Sequence, residues 1–430
     1  MSKRYSKSEQ LLDRALGVIP LGSQVFSKSF THIPRYASPF FAERGSGGRF
    51  TDVDGNTYID LCSGLLSLIL GYRFPEVEQS VRRQLDKGIL FSVGHPLEIQ
   101  VAERIIEIVP SAEMVRFCKN ASDATTAAIR LARHVTGRDR IAICGYHGWH
   151  DWSIGTTSRS QGIPDSIQSL SHRFSFNSLE SLEKLFEAYP NEFAGVILEP
   201  MSREWPKPGF LSGLKNLTHK YGAIFIFDET ITGFRFAQGG AQELFDVEPD
   251  LTIFGKGLAN GYPLSALVGS RDLMEEVTQI FFSSTFGGET VSLAAAASVL
   301  DVIIEKSVVR HLAEIGTAIA EEVNRHLTNY KLDNILTLDG HPSWKIWNIC
   351  DHPLGSSYEI KTYLLQELNS RGVFSIGSHN VNFSHTTQDV SEVSMAYREV
   401  LSMLAGVIQN GDKVRVHLQG PALEPLFSVR

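Results

Sequence analysis

Cysteine is scarce and scattered. The 430 residues hold four, Cys62, Cys118, Cys144 and Cys350, and no two stand at the spacing of a redox or zinc pair. A disulfide scaffold and a cysteine-based zinc site are therefore excluded as organising features, and the four read as reduced thiols. Long apolar runs are lacking too. No apolar segment follows the charged start MSKRYSKSEQ, so neither a signal peptide nor a membrane-spanning helix is expected, and the expected location is cytoplasmic. There is no excess of basic residues either: 40 Lys and Arg face 48 Asp and Glu, a net charge of −8. Non-specific nucleic-acid binding needs a basic face and is argued against. No repeat or low-complexity tract interrupts the chain. With 43% hydrophobic and 20% charged residues the composition is that of an ordinary globular protein. The length suits roughly two or three structural units.

The most informative stretch runs from Ala223 to Ser270. AIFIF, Ala223 to Phe227, is apolar without alternation and leads into Asp228 and Glu229. That pattern predicts a parallel strand covered on both faces, with its carboxyl end opening into a site. DLTIFGKG, Asp250 to Gly257, is a second such run and stops at Lys256 between two glycines. A lysine there is either a solvated surface residue or an amine kept for chemistry. A partly desolvated amine loses its proton more easily and can condense with an aldehyde. Asp228 supplies what an aldehyde cofactor of the pyridoxal-phosphate type needs, a carboxylate that keeps the ring nitrogen protonated. At ~4 Å and an effective dielectric of ~20, such a pairing is on the order of 4 kcal/mol, or about three pK units.

Other segments alternate between helical and strand periods. Ser6 to Pro20 predicts a short amphipathic helix, and Arg35 to Leu61 predicts strands joined by turns. VRFCKNASDATTAAIRLARHVTG, Val115 to Gly137, predicts a strand, a polar turn and a helix. Its turn, Asn120-Ala121-Ser122, sits at a helix N-terminus, which suits either a phosphate or a simple N-cap. RIAICGYHGWHDW, Arg140 to Trp152, predicts a strand ending in an aromatic cluster, in which Trp149 and Trp152 are either core or pocket wall. His147, His150 and Asp151 also form an HxxHD pattern, which leaves a metal-dependent hydrolase open as a rival reading. FAGVILEPM, Phe193 to Met201, is a further buried strand with Glu199 at its mouth.

FDETITGFR (Phe227 to Arg235), PDLTIFGKGLANGYPLSALVGS (Pro249 to Ser270) and FTDVDGNTYIDL (Phe50 to Leu61) resemble the class III aminotransferase family of pyridoxal-phosphate enzymes. The resemblance runs from about Ile19 to about Thr387 and is nearest to the family's glutamate-1-semialdehyde aminomutase branch. It implies an α/β fold of type I, with a large domain built on a mostly parallel seven-stranded sheet and a small α+β domain. The expected division is 1–70 as an N-terminal segment packing with the small domain, 71–305 as the cofactor domain and 306–430 as the small domain. Pyridoxal 5′-phosphate is the implied cofactor, with Lys256 as its Schiff-base lysine and acid-base group and Asp228 at its ring nitrogen. By the same carry-over Ala121 and Ser122 hold its phosphate and Tyr146 and His147 lie on its ring. Glu199, Thr230 and Ile231 border it. Ser284-Thr285 matches a pair that reaches a partner's phosphate across a homodimer. Relatives read Ser-Gly-Ser/Thr-Glu-Ala where this chain reads NASDA, so Asn120 and Asp123 are departures.

The function implied is transfer of an amino group, with L-glutamate as donor, to a keto or aldehyde substrate. Retention of Lys256 and Asp228 argues against a catalytically dead binding or scaffold protein, and the intramolecular aminomutase is the alternative within the family. Two departures bear on substrate. Lys28 in QVFSKSF stands where the aminomutases carry an arginine, and an ammonium cannot give a planar bidentate grip. SIGSHNVNFSHT, Ser375 to Thr386, offers His379 and Asn380 where they carry a glutamate. Together with Trp149 these groups suit a keto sugar or related polyhydroxylated carbonyl; the alternative is that they repack a shifted loop. The tail from Asn410 to Arg430 carries no reading.

Overall fold

Apolar runs without alternation become the strands of one sheet. Phe193–Leu198, Leu251–Phe254 and Ser265–Gly269 are buried at every position, as a sheet covered on both faces requires. In the computed structural model, which describes residues 3–425, seven strands form this sheet. Their spatial order is Met114–Cys118, Ser265–Gly269, Leu251–Phe254, Ile224–Asp228, Phe193–Leu198, Arg140–Cys144 and Ser171–Arg173. Ser265–Gly269 runs antiparallel to both neighbours and the other pairings are parallel, so the mostly parallel seven-stranded α/β sheet expected from the sequence is the one formed.

Successive residues of each strand feed opposite cores. Ile197, Ile226 and Ile253 pack with Ala124, Ala128, Leu131 and Ala132 of the helix Ala121–Thr136. Val196, Leu198, Phe225 and Phe227 pack on the other face with Phe186, Phe210 and Leu214. The small alanines let that helix lie close to the sheet, and Gly137, at φ +66°, ends it in the left-handed conformation that favours glycine. Register then sets the site. Cys144 pairs with Leu198 and Leu198 with Phe227, so Gly145, Glu199 and Asp228 follow in a row at the carboxyl edge.

The chain divides into two compact units, Pro75–Val309 around this sheet and a second built from the chain up to Phe74 together with Arg310 onward. In the second unit the two ends of the chain share a sheet: Thr57–Asp60 pairs in parallel with Val373–Phe374. A three-stranded sheet of Leu336–His341, Trp344–Ile349 and Ser378–Asn380 lies in the same unit, with the helices Ser357–Ser370 and Thr387–Gln409. The tail, for which the sequence offered nothing, lies against the first of these helices. Gln419 N donates to Gln366 Oε1 at 3.0 Å and Leu423 N to Thr362 Oγ1 at 2.9 Å. Residues 426–430 lie outside the described part. Among the described residues no helix is long and apolar enough to cross a membrane.

Candidate active site

Asp228 ends its strand as a buried carboxylate with every contact a donor. Thr230 gives Oδ1 its backbone N–H at 3.1 Å and its hydroxyl at 2.5 Å, and Oδ2 lies 2.8 Å from Nδ1 of His147. Burial pushes the Asp228 carboxyl up, but the His147 hydrogen bond and charge and the Thr230 donors more than offset this and hold it below the ordinary carboxylate range. The other ring nitrogen of His147, Nε2, faces the Cys144 carbonyl at 3.1 Å. With an acceptor at each nitrogen, the ring serves as a double donor. Trp152 backs it in a parallel stack, with ring centroids 6.3 Å apart, and is itself fixed by Nε1 donating to Thr126 Oγ1 at 2.9 Å. Trp152 is therefore core, whereas Trp149 is 69% exposed.

The acidic pair read at this strand end divides. Glu229 turns inward, fully buried, and accepts from Ala241 N, Gln242 N and the Thr232 hydroxyl at 2.5, 3.0 and 2.8 Å. It organises the loop that returns to the helix Ala241–Phe245. Glu199 stands next to Asp228 across the sheet, half-buried. Burial and then the Asp228 charge raise its pKa, with His147 and Lys256 opposing. Gly145, at φ +113°, leaves room for the Glu199 carboxylate, since a Cβ there would lie 2.8 Å from Glu199 Oε2.

Lys256 opens a single 3-10 turn, Lys256–Ala259, at φ +41°, an uncommon conformation for a side chain of this size. Gly255 before it stands between two other elements: a Cβ there would meet Ala121 Cβ and Thr230 Cγ2, each at 3.4 Å. The helix start, the end of the Asp228 strand and the lysine turn thus converge on one glycine. Ile231, half-buried, continues from Thr230.

At the helix start Asn120 is the N-cap, accepting from Asp123 N at 3.1 Å and donating to Asp123 Oδ2 at 2.7 Å. The two departures of the NASDA turn therefore belong together as a cap, and the amides of Ala121 and Ser122 lie in the first turn. Thr125 Oγ1 donates to the His147 carbonyl at 2.9 Å, and Trp149 N donates to Ser122 Oγ at 3.4 Å, so the helix also fixes the Tyr146–Trp149 loop. Tyr146 is 46% exposed. The residues suit a phosphorylated pyridine aldehyde: amides at a helix N-terminus for the phosphate, a buried carboxylate at a strand end for a protonated ring nitrogen, and an amine on a glycine-flanked turn.

Two expectations are corrected. The HxxHD pattern does not converge on one point: His147 is held by Asp228 and the Cys144 carbonyl, whereas His150 Nδ1 lies 2.6 Å from Thr126 Oγ1. Among the described residues no group of three His, Cys, Asp or Glu could hold a metal ion, so the hydrolase reading loses its site. His147, read from the resemblance as a cofactor-ring residue, stands beside the Asp228 carboxylate. His379, expected at a substrate, is 1% exposed in the unit outside the large sheet, with Nε2 2.7 Å from the Tyr397 hydroxyl and its pKa pushed down to about 3 by burial. Its neighbour Asn380 donates to the Cys62 carbonyl at 2.9 Å. Both are core groups, because the short strand Ser378–Asn380 is drawn into pairing with Trp344–Ile349. Lys28 is exposed in the same unit, and Ser284 and Thr285 are exposed in the loop before the helix Thr290–Glu305. The partnership of His147 with Asp228 had no signal in the sequence, since the two stand 81 positions apart.

Comparison with known proteins agrees with this geometry. The model of the family "Aminotransferase class-III" matches residues 33–381. The chain is 33% identical over 409 residues to the 3-aminobutyryl-CoA aminotransferase of Cloacimonas acidaminovorans (strain Evry), covering 93% of this chain and 97% of that protein. It is 35% identical over 429 residues to the glutamate-1-semialdehyde 2,1-aminomutase of Hyperthermus butylicus, covering 92% and 99%. Among solved structures it is similar to the PLP internal aldimine form of the FumI protein of Sphingopyxis sp. MTA144, with a TM-score of 0.89, 28% identity and coverage of 96% and 99%. An omega-transaminase from Sphaerobacter thermophilus gives a TM-score of 0.83 at 26% identity, covering 93% and 99%. The chain belongs to the class III aminotransferases.

Proposed function

We propose that this class III aminotransferase uses pyridoxal 5′-phosphate to move an amino group from L-glutamate to a small-molecule carbonyl acceptor. The observation that carries the reading is Asp228: a buried carboxylate held ionised by His147 and Thr230 beside the lysine turn is the partner a protonated pyridine nitrogen needs. When bound, the cofactor supplies an electron sink for the carbon that loses its proton. Lys256 would hold the cofactor and carry that proton. The Ala121 and Ser122 amides would bind its phosphate, Tyr146 would cover a ring face, and Glu199, Thr230 and Ile231 would border it.

We also propose a homodimer in which Ser284-Thr285 completes the partner's phosphate site. In support, Phe281 and Phe286 flank that pair at 86% and 56% exposed. The apolar run Ile89, Leu90 and Phe91 is exposed and joined to the same segment by Thr290 N donating to the Ile89 carbonyl at 2.9 Å. Such a surface suits burial against a second copy.

The test incubates the purified, cofactor-loaded protein with L-glutamate and a panel of keto acids and keto sugars. Release of 2-oxoglutarate that depends on an acceptor supports the reading, and its absence with every acceptor overturns it. The intramolecular aminomutase is the second reading, favoured by the aminomutase relative that matches along 92% of this chain. Conversion of glutamate 1-semialdehyde to 5-aminolevulinate without any added donor would establish it instead.

A further inference from the structure

The large unit carries a pocket of about 610 Å³ at the carboxyl ends of its outer strands. Cys144 and Arg173, the last residues of two neighbouring strands, line it together with Ser202, Arg203 and Glu204, which lie beyond the end of Phe193–Leu198. The pocket borders the candidate active site through the chain itself. The Cys144 carbonyl accepts from His147 Nε2, and the next residue, Gly145, lies against Glu199.

Arg173 is the notable group. Its guanidinium is partly buried, yet its hydrogen bonds are long: Nη1 lies 3.5 Å from the Gly145 carbonyl and 3.4 Å from Thr156 Oγ1. Among the described residues no carboxylate pairs with it, whereas Arg203 has Glu204 Oε1 at 3.9 Å. Burial lowers the Arg173 pKa, with only the Cys144 side chain opposing. A guanidinium in that position has donors in a rigid fork and little to receive them, and a planar anion would satisfy both its charge and its geometry. Phe174 and Phe176 add apolar surface for a carbon chain, and Ser175 and Ser202 add hydroxyls.

We propose that this pocket binds the anionic tail, a carboxylate or a phosphate, of the amino donor or the carbonyl acceptor. That the tail belongs to such a substrate rests on the aminotransfer reading; the preference for an anion rests on Arg173 and the pocket alone.

Calorimetric titration of the cofactor-loaded protein with pimelate and with butyl phosphate tests it, with 1-hexanol as the uncharged control. The wild type should bind one or both anions and not the alcohol, and the Arg173→Met variant should bind them about tenfold or more weakly, with Arg173→Lys between the two. Binding of pimelate alone identifies a carboxylate tail, and binding of butyl phosphate alone a phosphate. Circular dichroism and the cofactor's absorption spectrum verify that each variant is folded and loaded; should Arg173→Met fail to fold, Arg173→Lys carries the comparison. No anion binding by the wild type, or equal affinity in a folded Arg173 variant, overturns the proposal. Because no turnover is read, failure here leaves aminotransfer standing, and failure of aminotransfer leaves the anion site standing.

Discussion

Nδ1 of His147 lies 2.8 Å from Oδ2 of Asp228, both side chains are buried, and the opposite ring nitrogen is held by the Cys144 carbonyl. The carboxylate is thereby fixed in orientation and kept ionised in a site where burial alone would favour its neutral form. The acid at the strand end and the histidine of the aromatic loop act as one unit.

Replacing His147 by Asn leaves Asp228 buried without its charged partner. The expected loss is on the order of 3 kcal/mol of unfolding free energy, read as a lower urea midpoint. The pH dependence has a definite sign. Asp228 sits below its ordinary value of 3.8 in the folded protein, so its contribution is present above that pH and is lost as pH falls through the lower folded value. Wild-type stability should therefore drop at pH below about 4, and His147→Asn should flatten that drop. An unchanged acid profile in the variant would disprove the coupling.

Lys256→Ala should abolish nearly all aminotransfer while preserving the fold. Borohydride treatment followed by peptide mass spectrometry should place cofactor on the Lys256 peptide of the wild type and on no peptide of the variant. Cofactor fixed to another lysine would show the assignment to be wrong.

Gly148 has φ +97°, and a Cβ there would collide with Ser122 Oγ. Gly148→Ala adds a left-handed alanine, costing roughly 1–2 kcal/mol, to a displacement of the first turn of the Ala121–Thr136 helix. The expected result is weaker retention of cofactor on dialysis together with a modest fall in melting temperature. Full retention would dissociate Ser122 from the phosphate.

Glu229 and Asp228 are adjacent and should respond oppositely. Glu229→Ala strands the Ala241 and Gln242 amides and should cost about 2–5 kcal/mol in stability, with the absorption of bound cofactor unchanged. Asp228→Asn should shift that absorption and depress turnover. The same spectral change in both variants would contradict the division of roles.

The sequence by itself determined the inner strands Arg140–Cys144, Phe193–Leu198, Ile224–Asp228 and Leu251–Phe254, because a short apolar run bounded by turn signals suits a strand covered on both faces, whereas the edge strand Ser171–Arg173 carries no such run. It also marked Lys256 and Asp228, because an ionisable group at the end of such a run stands at the sheet's open edge, and the wording around them identified the family. Tertiary structure decided the rest. Which member of Asp228 and Glu229 faces the site depends on where the loop to Ala241 returns, and the imidazole that Asp228 meets comes from a loop 81 positions earlier in the sequence. His379 carries the same local polarity whether it lines a pocket or joins a core. Only the pairing of Ser378–Asn380 with Trp344–Ile349 and the hydroxyl of Tyr397 bury it. Local pattern encodes how deeply a segment is covered; what a polar group touches is set by distant parts of the chain brought beside it.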